Sequence, residues 1–151
     1  MALDIMDNPT EIKERQRILV VDNDLDTLSL LNRALELEGF DAVIVADSDS
    51  ALSVLEQVKP DMVIMDTVTA DGVDLLTLDS IRKHTDVPII ILTSDNEVET
   101  LRTVFAHGAD DFIRKPFGVK SLIARIKAKL RRSRQEVRPV IVSQSSTPNQ
   151  G

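Results

Sequence analysis

No cysteine, tryptophan or tyrosine occurs among the 151 residues, and aromatic residues make up only 3%. Without thiols there is no disulfide scaffold, no thiolate metal site and no cysteine nucleophile. Four phenylalanines are the sole aromatics, so the stacking platforms that bind single-stranded nucleic acids are missing. The two histidines, His84 and His107, lie outside any ligand spacing and read as surface residues. The five glycines form neither GxGxxG nor a P-loop, which leaves a nucleotide-binding reading without support. No apolar run approaches the roughly 18 to 20 residues of a membrane span. The N-terminal stretch to Gln16 carries acids and lacks the apolar core of a secretory signal. The expectation is a soluble cytoplasmic protein with no membrane partner.

What is present suffices for one domain with a real core: 42% of the residues are hydrophobic. Charge is uneven. Residues 1–117 hold 10 Lys/Arg against 24 Asp/Glu, a balance of −14, whereas residues 118–151 hold 8 against the single acid Glu136, a balance of +7. The acidic body would repel a phosphate backbone. The basic end reads as a solvated or partner-facing helix face.

Apolar periodicity divides the chain into alternating strands and helices. Ile18–Val21, Met62–Met65 and Ile89–Leu92 are continuous apolar runs, as expected of strands buried on both faces. Ala42–Val45 and Asp111–Arg114 complete five strands. Leu25, Leu28, Leu31 and Leu35 mark a first helix, with Asp24 or Asp26 as N-cap and Gly39 as its stop. Ser48–Val58 reads as a second helix with Ala51, Leu52 and Leu55 inward. Leu75, Leu78 and Ile81 mark a third, and Val98, Leu101 and Phe105 a fourth. A basic helix over 119–134 is the fifth. Such alternation gives a parallel sheet with helices on both faces. Residues 1–16 read as a mobile lead-in, 17–134 as the domain, and 135–151 as a flexible tail or linker.

In a parallel sheet, ligands bind beyond the carboxyl ends of the strands. Those ends carry Asp22-Asn23-Asp24, Asp66, Thr93-Ser94 and Lys115. Carboxylates, a hydroxyl and an ammonium at one edge suit a hard cation and a phosphoryl group. A carboxylate there can also act as nucleophile and become an acyl phosphate.

ILVVDND at 18–24, MVIMD at 62–66, PIIILTS at 88–94 and GADDFIRKPF at 108–117, in that order and spacing, resemble the receiver domain of two-component response regulators. The resemblance runs from residue 17 to about 134. Within the family, KSLIARIKAKLRRSRQ at 120–135 is similar to the end of receivers linked to winged-helix DNA-binding domains. The resemblance implies a three-layer α/β sandwich, the flavodoxin-like doubly wound fold, with a five-stranded parallel sheet in order 2-1-3-4-5. It implies Asp66 as phosphoacceptor and Thr93 and Lys115 as ligands of the phosphoryl oxygens. Asp22, Asp66, Asn23 and the Val68 backbone carbonyl would hold Mg²⁺, and Phe112 would be a switch aromatic that turns inward on activation. A sensor histidine kinase would be the phosphodonor partner. A homodimer through the fourth helix, fifth strand and fifth helix would form, with Asp111 and Arg125 as a charged pair. DNA would be a partner only through an effector domain beyond this chain.

Three positions depart from the family pattern. Asn23 replaces a carboxylate, Ala70 replaces a proline, and Asp71-Gly72 falls two residues early, so the loop from Thr67 to Asp74 has its own shape or the alignment slips there. Weak Mg²⁺ binding and slow phosphorylation are the consequences expected. The expected function is a signalling switch and no turnover enzyme. The alternative is a pseudo-receiver, an interaction module that does not require phosphate. A Mg²⁺-dependent phosphatase is disfavoured, because Val68 is apolar where a second catalytic acid would be needed.

Overall fold

The computed structural model describes residues 15–66, 68–69, 72–73, 75–95 and 97–137. The lead-in up to residue 14, the tail from residue 138, and Thr67, Ala70, Asp71, Asp74 and Asn96 lie outside the described residues. The chain divides into two compact units, residues 1–115 and 116–151.

The first unit runs β1 (Arg17–Val21), α1 (Leu25–Leu37), β2 (Asp41–Val45), α2 (Ser48–Val58), β3 (Met62–Met65), β4 (Val68–Thr69), β5 (Gly72–Val73), α3 (Leu75–His84), β6 (Ile89–Thr93), α4 (Val98–Ala106) and β7 (Asp111–Arg114). The second contains α5 (Val119–Val137). Five strands form one parallel sheet in the order β2-β1-β3-β6-β7. Counting only the sheet strands, that is 2-1-3-4-5, the expected order. β4 and β5 form a separate antiparallel hairpin, with Val68 opposite Val73 and Thr69 opposite Gly72. Within the 67–74 segment, the described residues 68–69 and 72–73 make this hairpin.

Burial follows the apolar runs. Every residue of β3 and β6 is buried, as are four of the five in β1, whereas β2 and β7 at the sheet edges are only half-buried. Side chains alternate across a sheet. Leu19, Val21, Val63, Met65, Ile89 and Ile91 therefore share one face, where they cluster with Ala51 and Leu55 of α2, Leu78 and Ile81 of α3 and Val104 of α4. Ile18, Val20, Met62, Ile64, Ile90 and Leu92 face the other way and are equally buried.

Helix ends obey local chemistry. The Asp24 carboxylate accepts the Asp26 N–H at 3.1 Å and starts α1. Asp47 accepts the Ser50 N–H at 2.8 Å and starts α2. Gly39 ends the α1 turn at φ +90°, a left-handed value that glycine adopts without Cβ strain. The helix α5 continues three residues past the expected limit at Arg134: Gln135, Glu136 and Val137 are compatible with helix, and the first proline is Pro139.

In α1 the expected Leu28, Leu31 and Leu35 are buried and only Leu25 is not, whereas α4 is rotated from the expected orientation. Leu25 is 69% exposed, and in α4 Val98 and Phe105 are 64% and 43% exposed, while Thr100 and Val104 point inward. Thr100 can be buried because its hydroxyl donates to Asp95 at 2.7 Å.

At the N-terminal end of β6, Arg82 ties three segments together. Its Nε and Nη2 donate to the Gly108 carbonyl at 3.2 and 3.0 Å, and Nη1 donates to the Thr85 and Val87 carbonyls at 3.1 and 3.0 Å. Nη2 also reaches Asp110 Oδ2 at 2.8 Å, and that oxygen accepts the Ile89 N–H at 2.8 Å. Gly108 has φ +110°, and a Cβ there would lie 2.9 Å from Arg82 Cγ. Glycine is required on both counts.

Candidate functional site

The parallel ladder brings the strand ends level. Beyond the last strand residues, Asp22 N–H donates to Val45 O at 3.2 Å, Asp66 N–H to Val21 O at 3.1 Å and Lys115 N–H to Thr93 O at 2.8 Å. These bonds set Asp22, Asp66, Thr93 and Lys115 along one edge, although residues 22 and 115 are 93 apart in sequence.

Lys115 joins the carboxylates. Its Nζ donates to Asp22 Oδ2 at 2.8 Å and to Asp66 Oδ2 at 3.0 Å. The separation of the two oxygens therefore cannot exceed the sum of those lengths. Asp22 is only 3% exposed, and its other oxygen accepts the Asp24 N–H at 2.9 Å. A buried carboxylate is tolerated when it is paired and hydrogen-bonded in this way. Burial by itself would lower the Lys115 pKa. Hydrogen bonds to Asp22 and Asp66, together with their charges, outweigh that and hold it above the ordinary lysine value. Lys115 is thus a fixed cation at neutral pH.

Thr93 is fully buried, and its Oγ1 accepts the Asp95 N–H at 3.2 Å. Because that bond uses an acceptor lone pair, the hydroxyl proton stays available for another oxygen. Asp95 also accepts the Glu97 N–H at 2.9 Å and the Thr100 hydroxyl. These two bonds hold its pKa below the ordinary value. The Asp95 bridge, which the sequence reading missed, connects the Thr93 loop to α4.

Asn23 is exposed, directly after Asp22. Val68 lies in the hairpin that follows Asp66. Phe112 is half-buried and packs against the core cluster, in register with Ile91, two residues before Thr93 on the adjacent strand. Among the described residues, no three carboxylates or imidazoles converge to hold a metal. Two oxygen-donor carboxylates gathered on one ammonium still fit a hard dication. Mg²⁺ is usually held by one or two carboxylates and completes its shell with water.

The response regulator receiver domain family model matches residues 18–127. Among curated proteins, the DNA-binding response regulator MtrA of Mycolicibacterium paratuberculosis is 38% identical over 124 residues, 81% of this chain and 54% of that protein. The probable transcriptional regulator ycf27 of Porphyridium aerugineum is 36% identical over 119 residues, 79% of this chain and 50% of that protein. The chain spans about half the length of the curated relatives it matches. Among solved structures, a CheY-like response regulator receiver domain protein from Methanospirillum hungatei superposes with a TM-score of 0.77 at 27% identity, covering 82% of this chain and 99% of that one. A two-component response regulator from Clostridium difficile gives a TM-score of 0.75 at 28% identity, covering 79% and 98%.

Proposed function

The chain belongs to the response regulator receiver family, and from that premise we propose that it switches by accepting a phosphoryl group on Asp66 from a histidine of a sensor kinase. The supporting observation is the Lys115 bridge between Asp22 and Asp66. An Asp66 carboxylate oxygen attacks phosphorus, the P–N bond of the phosphohistidine breaks, and the imidazole leaves. The ammonium of Lys115 then follows the new negative charge to a phosphoryl oxygen. The Thr93 hydroxyl donates to another oxygen while still accepting from Asp95. Asp22, Asp66, the Val68 carbonyl and Asn23 would hold Mg²⁺, which when bound neutralises charge on the phosphoryl oxygens.

Phe112, which packs against the core cluster, is the residue proposed to change place when Thr93 is recruited. The switch is a local electrostatic event that biases a two-state element. Self-association through Asp111 and Arg125, and an effect on transcription through a DNA-binding partner segment, belong to the same proposal. The presence of Asp22, Asp66, Thr93 and Lys115 together favours it over a phosphate-independent module. The test is incubation with Mg²⁺ and a small phosphodonor. The chain should gain one acid-stable, base-labile phosphoryl group, mapped to the peptide containing Asp66, and Asp66→Asn should gain none. Transfer to another residue, or no transfer, sinks the reading.

Asn23 is expected to weaken the metal site. Losing a unit charge about 4 Å from a dication in water removes on the order of 2 kcal/mol. Relief of carboxylate repulsion in the metal-free site offsets part of this. A net effect of about 1.4 kcal/mol corresponds to tenfold in affinity. Asn23→Asp should therefore bind Mg²⁺ about tenfold more tightly by titration calorimetry and accept phosphate faster. Equal affinities in the two chains would show that Asn23 is not the weak point.

A further inference from the structure

The edge that carries the site is strongly acidic. Asp22, Asp24, Asp66 and Asp95 all stand at or just beyond strand ends. A phosphodonor brings further negative charge to this edge, and Lys115 is already shared between two carboxylates. The residue before it in the sequence is a second cation. Arg114 closes β7 and is the register partner of Thr93 on β6. Register partners in parallel strands lie about 4.8 Å apart and project from the same face, so Arg114 leaves the sheet on the face that carries Thr93. It is exposed, and among the described residues it has neither a side-chain hydrogen bond nor an ion pair. Arg82, by contrast, is fully committed at the other end of β6.

Resting on the phosphoacceptor reading above, we propose that Arg114 is the docking cation for the incoming phosphoryl dianion, a substrate-binding residue that holds the donor beside Thr93 before transfer. The charges at the reaction point explain the need. Asp22, Asp24, Asp66 and Asp95 against Lys115 sum to −3 and would repel a dianion, and Arg114 brings the sum to −2. Asn23 sharpens that need, because a neutral residue in the metal site leaves less metal-derived positive charge to attract the donor. The guanidinium is a suitable group, since its fork can meet two phosphoryl oxygens at once. The chemistry recognised is a phosphoryl dianion on a good leaving group, which a small acyl phosphate or a protein phosphohistidine could supply.

The test separates docking from transfer. In an Asp66→Asn background, which cannot become phosphorylated on residue 66, acetyl phosphate and monophosphoimidazole are titrated separately with Mg²⁺ present. The Arg114 Nε–Hε and Thr93 amide resonances are followed by NMR. The expected result is saturable movement of both resonances. Adding Arg114→Gln should then weaken half-saturation, read on Thr93, by roughly three- to tenfold, with the difference shrinking as salt is raised. Arg114→Lys should recover part of the affinity. Dependence with both donors assigns recognition to the phosphoryl group itself, and dependence with only one identifies the source for which the site is built. No movement of the resonances, or the same half-saturation in Arg114→Gln with both donors, overturns the proposal. Arg114-dependent docking in a chain whose native Asp66 takes up no phosphate would overturn the acceptor role alone.

Discussion

Lys115→Met is expected to destabilise the protein by about 3 kcal/mol at neutral pH in metal-free buffer, because removing one partner of a buried ion pair leaves an uncompensated charge. Asp22 is the exposed nerve of this substitution: it is 97% covered by neighbours and loses its ammonium. Asp66 loses the same partner, so two carboxylates then face each other without the ammonium that joined them. The lower end of the usual range applies because Asp66 and Asn23 are open enough to water for some rehydration. In a domain of this size, 3 kcal/mol corresponds to roughly 10 °C in Tm. Urea unfolding should show a lower midpoint with an unchanged slope. Millimolar Mg²⁺ should raise the Tm of the variant more than that of the parent, since a ligand that binds only the folded state stabilises it and the variant has no ammonium competing for the same oxygens. A variant as stable as the parent, with no extra response to Mg²⁺, would remove Lys115 from its assigned role. The pH dependence has a definite sign. The folded pKa of Lys115 lies above its unfolded value. Its stabilisation is therefore fully present below the ordinary lysine pKa and is lost as pH rises through the higher folded value. On the alkaline side the parent–variant difference should vanish only in strong alkali.

Arg82→Ala should cost about 3 kcal/mol for a different reason. The side chain is one-quarter exposed, so little of the loss is uncompensated charge. The cost comes from three backbone carbonyls, those of Thr85, Val87 and Gly108, losing donors at once. Buried or half-buried acceptors left unsatisfied cost about 1 to 3 kcal/mol each, and water can reach some of them here. Asp110 retains the Ile89 N–H, so the β6–β7 pairing survives. Arg82→Lys should restore less than half of the stability, because an ammonium cannot span Gly108 O on one side and Val87 O on the other as the planar fork does. Hydrogen exchange should locate the damage at Ile89 and Asp110 and leave the Asp22–Asp66–Lys115 cluster untouched. Uniform loss of protection across the sheet would show that Arg82 acts on the fold as a whole.

The sheet was legible because a strand buried on both faces has no choice of pattern. Ile18–Val21, Met62–Met65 and Ile89–Leu92 are unbroken apolar runs, and their burial follows. The site was legible for a related reason: acids, a hydroxyl and a lysine end those runs, and a parallel sheet puts strand ends on one line. Helix rotation was less legible. In α4, Val98, Leu101 and Phe105 satisfy helical spacing as well as any core stripe would. The buried residue Thr100 is polar, and its hydroxyl partner, Asp95, stands five residues earlier. Leu25 likewise fits the period of α1 yet sits in its first turn, before the helix reaches the core. The Arg82 clamp carried no sequence signal, since most of its acceptors are backbone carbonyls whose positions depend on the finished fold. The hairpin of Val68–Thr69 with Gly72–Val73 was foreseen only as a departure, because two-residue strands are too short to show a period.

The 49 residues between Asp66 and Lys115 also have a meaning in time. A ribosome adds about 5 to 20 residues per second and domains form from the N-terminus, so the ammonium emerges roughly 2.5 to 10 s after the second carboxylate. During that interval the nascent chain can hold β1 and β3 but not β7, and the outer edge of β6 has no neighbour once it emerges. The acidic pair then has no counter-charge of its own, which disfavours closure of that end of the sheet. Arrival of residues 111–115 supplies the last strand and the cation together. Completion of the sheet and assembly of the Asp22–Asp66–Lys115 edge are therefore one event in biogenesis, and a chain truncated before Asp111 has neither.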